Sequence, residues 1–274
     1  MSVQWLEFDS LVNARDVGGI PTTDGRQVRS RRLIRSDNLQ ALTEADVARL
    51  RGLGVTDVVD LRSVYEVESE GPGPLTTADG FTIHHHSFFI ERYADGSEIA
   101  PGGEEGGLHT GESELPGDAL PWAGKRAHTI QVEDGFASSY LSFLADRPAS
   151  VLGALRNVAY APGATLVHCA AGKDRTGTTV ALALMVAGAE REAVVADYAA
   201  STERMELIVA RLVERDTYAA NLADRPLSSH DTRPESMLAF LEYAEDRFGG
   251  VEPMLGQIGW TAADSAQLRR KLLD

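Results

Sequence analysis

The chain contains 274 residues, of which 43% are hydrophobic and 24% are charged, and this composition excludes a wholly disordered protein. Its 26 basic and 41 acidic side chains give a net charge of -15, which argues against binding of nucleic acid or anionic membranes through a broad basic surface. A single cysteine excludes an intramolecular disulfide and a zinc site built from several thiolates.

No stretch of the sequence predicts stable insertion into a membrane. Residues 1–10 lack the basic stretch followed by an apolar run that marks a secretory signal. The longest apolar stretch, residues 180–189, is about half the length of a membrane span. We therefore expect a cytoplasmic protein, or one exported without a recognisable signal peptide, in which residues 1–274 form a single domain. The sequence makes no prediction of the oligomeric state.

The first third of the chain predicts short strands and one helix. Thr43 and Asp46 have the spacing of a capping box, and Gly52 and Gly54 end the helix that follows. Residues 55–61 are mostly β-branched or apolar, as expected of a buried parallel strand. In chain order, the predicted elements are a strand at 32–35, a helix at 43–50, and strands at 55–61 and 81–86.

Residues 94–124 differ in composition from the rest of the chain. Glycine, glutamate, aspartate and proline dominate the segment, and it has no hydrophobic periodicity. Compact domains keep so long a loop mainly for function, which predicts a long loop or mobile lid beside the functional site. A disordered surface insertion is the alternative interpretation.

Helical patterns dominate from residue 132 onward. The predicted helices are 136–144, 151–161, 178–188, 190–200, 203–215, 234–248 and 261–273, and one short apolar strand, 164–167, leads into His168 and Cys169. Strands that alternate with helices, followed by helices alone, predict an α/β domain with a helical lid and C-terminal helices.

The chemistry of the sequence is concentrated in residues 168–177, which read HCAAGKDRTG. We expect residues 170–175 (Ala170, Ala171, Gly172, Lys173, Asp174 and Arg175) to form a loop whose N–H groups converge on one point, in front of a helix N-terminus. Such a nest binds a tetrahedral dianion. Gly172 lets the loop curl, and the forked guanidinium of Arg175 can hold two phosphate oxygens.

Cys169 is predicted to lie at the bottom of this cradle. The amides and the helix end stabilise its thiolate, which is then placed for in-line attack on the phosphorus atom of a bound phosphate. The predicted reaction is phosphoryl transfer to sulfur followed by hydrolysis of the phosphocysteine. Arg175, Lys173 and the amides supply the charge stabilisation, so we expect no metal ion and no other cofactor. An ordinary buried thiol is the alternative interpretation.

These residues resemble the signature of the protein tyrosine phosphatase superfamily, a cysteine, five residues, then arginine and serine or threonine. The variant Gly-Lys-Asp-Arg-Thr-Gly is similar to a bacterial and fungal branch, and the resemblance spans most of the chain outside 90–130. It implies a phosphatase-type α/β fold with a central, mostly parallel sheet flanked by helices. Further matches are Asn13-Ala-Arg-Asp16, Arg35-Ser-Asp-Asn-Leu39, Asp60-Leu-Arg-Ser-Val-Tyr-Glu66 and Asp197-Tyr-Ala-Ala-Ser201.

The resemblance assigns supporting roles to residues within the motif. Thr176 is expected to donate a hydrogen bond to the thiolate, a role compatible with capping the following helix. His168 is expected to fix the loop through ring hydrogen bonds rather than to act as a base. Lys173, which the related branch and some lipid phosphatases use against extra negative charge, suggests phosphoinositides as further substrates. A solvent-exposed side chain is the alternative interpretation of Lys173.

The general acid is the least determined role. The sequence contains no Trp-Pro-Asp motif, which conventional tyrosine phosphatases use for this purpose. Asp174 is the candidate of the related branch, because a neighbouring phosphate dianion favours the protonated form of its carboxyl. A structural partner of Lys173 is the competing interpretation of Asp174. Glu91 or Asp95, near the glycine-rich loop, are the alternative acids.

Four charged residues outside the motif are expected to support the loop from behind. Arg15 and Arg62 are predicted to pair with Asp16, Asp60 or Glu66. The triplet His84-His85-His86 suggests a metal site, but alternate residues of a strand face opposite ways and no carboxylate lies at ligand spacing, so we do not predict one.

The predicted function is therefore a metal-independent cysteine phosphatase of phosphotyrosine, with phosphoserine, phosphothreonine and phosphoinositides as further substrates. A phosphorylated protein or phosphoinositide is the expected partner, and nucleic acid is not. The alternatives are a pseudo-phosphatase that binds a phosphorylated partner without turnover, and a primary phosphoinositide phosphatase. A sulfurtransferase fits less well, since the spacing between cysteine and arginine suits phosphate.

Overall fold

The computed structural model describes residues 3–71, 73–91, 128–222 and 225–273. The glycine-rich segment 94–124 and the alternative acid Asp95 therefore lie outside the described residues. Within these residues, no helix is both long enough and apolar enough to cross a membrane.

A six-stranded sheet forms the centre of the described structure. The four strands β3, β6, β4 and β5 lie side by side and parallel, and the two N-terminal strands extend the sheet antiparallel beyond β3. The predicted mostly parallel sheet is thus confirmed. The strands are β1 (Gln4–Trp5), β2 (Arg15–Asp16), β3 (Leu33–Ser36), β4 (Val55–Asp60), β5 (Thr82–His85) and β6 (Ala164–His168).

Helices cover both faces of this sheet. The 14-residue helix α5 is buried almost throughout and packs with α3, α4, α9, α10 and α11 into the larger core, while α1 packs on the opposite face. The helices are α1 (Glu44–Gly52), α2 (Val64–Glu70), α3 (Gly135–Asp146), α4 (Pro148–Tyr160), α5 (Asp174–Ala187), α6 (Arg191–Ala199), α7 (Met205–Val213), α8 (Asp216–Leu222), α9 (Pro234–Phe248), α10 (Val251–Gly256) and α11 (Ala262–Leu273).

Strand β6 is the element on which both cores meet. All five of its residues are buried. Leu166 packs into the core on the α1 face and Val167 into the core on the α5 face. A central parallel strand covered on both faces explains its uniform burial and its apolar residues Ala164, Leu166 and Val167. The same strand delivers His168 and Cys169 to the carboxyl edge of the sheet.

The longer predicted elements are confirmed, including the capping box of Thr43 with Asp46. Three details differ. Helix α5 begins at Asp174, earlier than predicted. The predicted helix 203–215 is shorter in the structure, since a 3₁₀ turn (Ala200–Arg204) precedes α7 (Met205–Val213). The short elements β1, β2, α2, α8 and α10 were not predicted, since two to seven residues carry too little periodicity.

Replacement of Leu166 by alanine tests the central position of β6. Its side chain is fully buried, so we expect a loss of about 2 to 5 kcal/mol in the free energy of unfolding. Leu207→Ala, at a position 48% exposed, is the matched control and should change it by less than about 1 kcal/mol. Urea titrations of both variants provide the measurement, and similar losses in the two would contradict the assignment.

Candidate active site

Cys169 lies at the carboxyl edge of the parallel sheet, directly after β6 and between the ends of β3 and β4. Its side chain is only 2% exposed and lies on the wall of a large cavity. Residues 170–173 form the loop from β6 to the N-terminus of α5. In open α/β sheets, this edge is where ligands bind.

The carbonyl groups of this loop all point away from the cavity. Three consecutive carbonyl oxygens accept hydrogen bonds from residues behind the loop, and within the described residues no acceptor is found for the N–H groups of 170–174. These N–H groups are therefore available to an anion in the cavity. The three bonds are Asn38 N to Ala170 O at 3.0 Å, Asn13 Nδ2 to Ala171 O at 2.9 Å and Arg35 Nη2 to Gly172 O at 2.9 Å.

Gly172 is required by the turn of the loop. Its φ is +70°, a conformation that side chains other than glycine rarely adopt. A Cβ at this position would lie 2.4 Å from the Ser36 carbonyl oxygen. The loop therefore packs directly on the backbone that follows β3, which explains the glycine in the motif.

A buried network of charges holds the loop from behind. Asp197 accepts from Arg15 Nε at 2.9 Å and from Arg35 Nη1 at 2.5 Å, and both guanidinium groups are fully buried. Asn13 and Ser201 complete the network, since Arg15 donates to the Asn13 side-chain oxygen at 2.7 Å and to Ser201 Oγ at 3.1 Å. Burial alone would raise the pKa of the Asp197 carboxyl, but the two guanidinium groups lower it below its usual value.

Arg175 is oriented by Glu66. Its guanidinium donates to both oxygens of that carboxylate, at 2.6 and 3.1 Å, and to the Leu61 carbonyl oxygen at 3.1 Å. Tyr218 of α8 donates to the same carboxylate at 3.1 Å. Burial would lower the pKa of Arg175, but Glu66 raises it, so the guanidinium stays charged. Because these contacts hold the planar guanidinium group of Arg175, its orientation towards the cavity is fixed.

His168 joins the loop to β4. Its Nδ1 donates to the Cys169 carbonyl oxygen at 3.3 Å, while its Nε2 lies 3.6 Å from Asp60. Arg62 pairs with Asp60 through two of its nitrogens. Burial lowers the pKa of His168 to about 4 despite the neighbouring carboxylate, so the ring is neutral at pH 7. A neutral, fixed ring has a positioning role here.

The predicted supporting pairs are partly corrected. Arg62 does pair with Asp60, but Arg15 pairs with Asp197 rather than with Asp16, Asp60 or Glu66. Asp16 accepts from the backbone N–H groups of Gly18 and Arg31 instead, so it supports the N-terminal turn and not the loop. The difference arises because Asp197 reaches the sheet from α6, a contact that sequence distance conceals.

The structure contradicts the capping role, which is the alternative interpretation of Thr176. Thr176 lies inside the first turn of α5, where Lys173 is the N-cap, so it does not cap the helix. Its hydroxyl is buried and has no hydrogen-bond partner among the described residues, which include Cys169. The donation to the thiolate therefore stays a prediction.

The structure places the candidate acids Asp174 and Glu91 in different surroundings. Asp174 lines the cavity, with its Oδ2 3.6 Å from Lys173 Nζ, and Lys173 donates to the His230 carbonyl oxygen at 2.6 Å. Glu91 instead accepts from the N–H groups of Val64 and Tyr65 at the start of α2. Its carboxylate is occupied as a helix cap, which favours Asp174 as the proton donor.

The three histidines of β5 and its end are directed to different partners. His84 contacts Asp57 at 2.8 Å, and His85 donates to the Arg62 carbonyl oxygen at 2.8 Å. His86 packs against Gly153 of α4. Among the described residues, no group of three or more His, Cys, Asp or Glu side chains is arranged to hold a metal ion.

The cavity above Cys169 has a volume of about 810 Å³. Its floor is the loop 169–175, and its walls are largely apolar on two sides. Aromatic side chains that follow β5 or lie on α3 form one wall: Phe88, Phe89, Phe136 and Phe143. Helices α7 and α8 contribute a second apolar part of the lining with Met205, Ile208, Leu212, Tyr218 and Leu222. The predicted helical cover is thus present, and it suits a phosphate carried on an apolar group.

Comparisons with known proteins agree with this geometry. A model of the tyrosine phosphatase family matches residues 6–274. The chain is 31% identical to the triple specificity protein phosphatase PtpB of Mycobacterium tuberculosis, over 97% of this chain and 98% of that protein. It is 32% identical to a putative tyrosine-protein phosphatase of Cupriavidus necator, over 73% of this chain and 63% of that protein. A tyrosine-protein phosphatase of Nostoc commune is 29% identical over 87% of this chain and 73% of its own length.

Replacement of Asn13 by alanine tests whether the rear hydrogen bonds set the anion site. The change removes the donor to the Ala171 carbonyl, so we expect inorganic phosphate to bind about 10-fold more weakly, the equivalent of one buried hydrogen bond. Calorimetric titration measures the affinity. Gln267→Ala is the matched control, because Gln267 makes the same kind of bond to Ala159 O at 3.1 Å, at the α4–α11 contact. Equal affinities in the two variants would contradict the role of Asn13.

Proposed function

Because the chain belongs to the tyrosine phosphatase family and is a phosphatase, we propose that it hydrolyses phosphotyrosine without a metal ion, through a phosphocysteine at Cys169. The observation that carries this proposal is the position of Cys169. Its side chain lies on the wall of the cavity, at the start of a loop whose N–H groups have no acceptor among the described residues, and Arg175 lines the same cavity. A dianion bound there would place its phosphorus atom in front of the sulfur.

In the first step, the Cys169 thiolate attacks phosphorus and the bond to the tyrosine oxygen breaks. Asp174 gives its proton to that oxygen as it leaves. The loop amides and Arg175 stabilise the charge on the three equatorial oxygens. The products of this step are the phosphocysteine and a neutral tyrosine.

In the second step, water attacks the phosphocysteine and Asp174 takes its proton. The sulfur–phosphorus bond breaks, inorganic phosphate forms, and the thiolate is restored. Thr176 supports this step if its buried hydroxyl turns towards the leaving sulfur. Lys173 carries a positive charge at the edge of the same site.

The shape of the cavity favours an aromatic phosphoester. A phenyl ring carried above the phosphate would lie between the aromatic wall of Phe89 and Phe136 and the apolar wall of Ile208 and Leu212. Phosphoserine and phosphothreonine reach the floor less readily, because their shorter side chains bring the peptide backbone into the cavity.

Phosphoinositides are the second substrate class that we propose. Lys173 supports them, since a cation inside a concave site suits a substrate with additional phosphate groups. The net charge of -15 opposes approach to an anionic membrane, which ranks these lipids below phosphotyrosine. The name of the mycobacterial relative describes that protein as having triple specificity, so a comparison of phosphopeptides with phosphoinositides is the informative substrate panel.

Replacement of Cys169 by serine tests the nucleophile. We expect phosphate release from a phosphotyrosine peptide to fall by about 10³-fold or more in the presence of excess chelator, because a serine hydroxyl is not ionised in this site. Binding of inorganic phosphate should persist, which shows that the loop is intact. A wild-type burst of one phosphate per chain without turnover would favour the pseudo-phosphatase, and an undiminished rate in the variant would exclude the mechanism.

Asp174→Asn tests the general acid. We expect hydrolysis of phosphotyrosine to slow by about 100-fold, while p-nitrophenyl phosphate, whose leaving group needs no proton, slows by less than about 3-fold. Glu91→Gln is the comparison for the alternative acid and should affect both substrates equally. Steady-state kcat/KM values, which report the first step and not the hydrolysis of the phosphocysteine, provide the measurement, and equal losses on both substrates in Asp174→Asn would reassign Asp174 to a structural role.

A further inference from the structure

Two buried tyrosines form a chain of hydrogen bonds that ends on Asp174. Tyr140 of α3 donates to Asp174 Oδ1 at 2.8 Å, and the hydroxyl oxygens of Tyr140 and Tyr198 are 2.6 Å apart. Tyr198 lies on α6, so the chain connects three helices at the cavity. The mechanism proposed above uses neither tyrosine.

The direction of both hydrogen bonds is determined by chemistry. Because Tyr140 donates its one hydroxyl proton to Asp174 Oδ1, Tyr198 must donate to the Tyr140 oxygen. Burial raises the pKa of both phenols well above the ordinary value for tyrosine, and the nearby Asp174 carboxylate raises it further. Both hydroxyls therefore keep their protons throughout the functional pH range.

The two oxygens of Asp174 consequently have different surroundings. Oδ1 is held by Tyr140, whereas no hydrogen bond to Oδ2 is found within the described residues, and Lys173 Nζ stays 3.6 Å from it. An oxygen that already accepts from a phenol is the weaker base of the two, and its lone pair is occupied. A proton on Asp174 is thus directed to Oδ2.

From this arrangement, we propose that Tyr140, supported by Tyr198, is a positioning residue that holds the carboxyl of Asp174 with Oδ2 as its proton-carrying oxygen. The inference rests on the proposed function of Asp174 as general acid. Tyr140 touches neither phosphorus nor sulfur and exchanges no proton. It acts by limiting the rotation of the Asp174 side chain. Without this restraint, the side chain would lose conformational freedom at each turnover when it adopts the reactive orientation.

The proton balance in both steps is compatible with this role. In the first step, the proton on Oδ2 passes to the leaving phenolate oxygen, and Oδ1 keeps its hydrogen bond. In the second, water returns a proton to Oδ2 as its oxygen bonds to phosphorus and the thiolate leaves. The Tyr140 hydrogen bond persists through both, since Oδ1 accepts whether the carboxyl is charged or neutral.

The packing of Tyr198 provides independent support. Its ring lies so close to Gly177 that a Cβ there would be 2.8 Å from Tyr198 Cδ2. Gly177 thus permits the approach of α6 to α5 that brings the Tyr198 hydroxyl to Tyr140. This contact explains two sequence features that the phosphate chemistry does not require, the glycine after Thr176 and the tyrosine after Asp197.

Tyr140→Phe removes the hydroxyl and keeps the ring, which packs against Phe143 and Phe240. We expect kcat/KM for phosphotyrosine to fall about 10-fold, and kcat/KM for p-nitrophenyl phosphate to change by less than about 2-fold, because in the first step only the poor leaving group depends on the acid. Tyr198→Phe should give a smaller loss with the same dependence on the leaving group. In an Asp174→Asn background, Tyr140→Phe should have no further effect.

Tyr160→Phe is the matched control, since Tyr160 also donates to a carboxylate, Asp264 at 3.2 Å, on the α4–α11 side of the molecule. It should leave both rates unchanged. Equal losses on both substrates in Tyr140→Phe, or a further loss in the Asp174→Asn background, would overturn the positioning role while leaving Asp174 as the acid. If the rates of Asp174→Asn itself depended on the leaving group as those of the wild type do, Asp174 would be excluded as the acid. The inference would be excluded with it.

Discussion

Two buried guanidinium groups, those of Arg15 and Arg35, converge on the carboxylate of Asp197 beneath the loop that follows β6. A buried arginine without a partner costs several kcal/mol, so each of these residues requires the others. A further donor of each guanidinium then bonds to Asn13 or to the Gly172 carbonyl. The orientation of the loop's peptide groups, and hence the position of its free N–H groups, follows from this one buried network.

The same network changes what the net charge of -15 means for the site. Two arginines share one buried carboxylate, so these three residues together carry a net positive charge behind the loop, whereas Arg175 and Arg62 are each paired with their own carboxylate. Water screens buried charges much less than exposed ones. The N-terminus of α5 adds to the field. A phosphate therefore meets a positive potential at the loop although the chain as a whole is strongly acidic.

The sequence predicts the parts of the site that are continuous along the chain. The strand, the glycine turn, Cys169 and Arg175 fall within the twelve residues 164–175, and the roles predicted for them follow from the chemistry of each residue type. Contacts between distant segments are not readable in this way. Arg15 and Asp197 are 182 positions apart, and a buried tyrosine such as Tyr140 looks like any other core aromatic on an amphipathic helix.

The partner of the Glu66 carboxylate is a second contact that the sequence alone does not determine. The motif ending in Glu66 correctly indicated a role behind the loop, but its partner is Arg175 itself, through a bidentate contact. Charge alone offered Arg15 and Arg62 as equally good partners. The capping box of Ser63 with Glu66 fixes the start of α2 but does not distinguish between these arginines. Burial selects the pair, and burial is a property of the fold.

The position of the candidate acid has a consequence for how the site functions. Conventional tyrosine phosphatases bring an aspartate to the phosphate on a mobile loop, whereas Asp174 is the first residue of α5 and belongs to the phosphate-binding loop itself. The cradle and the acid are therefore fixed by the same helix. Because α5 is buried almost throughout in the larger core, the proposed role of Asp174 as proton donor would require no closing movement of the chain to bring its carboxyl to the substrate.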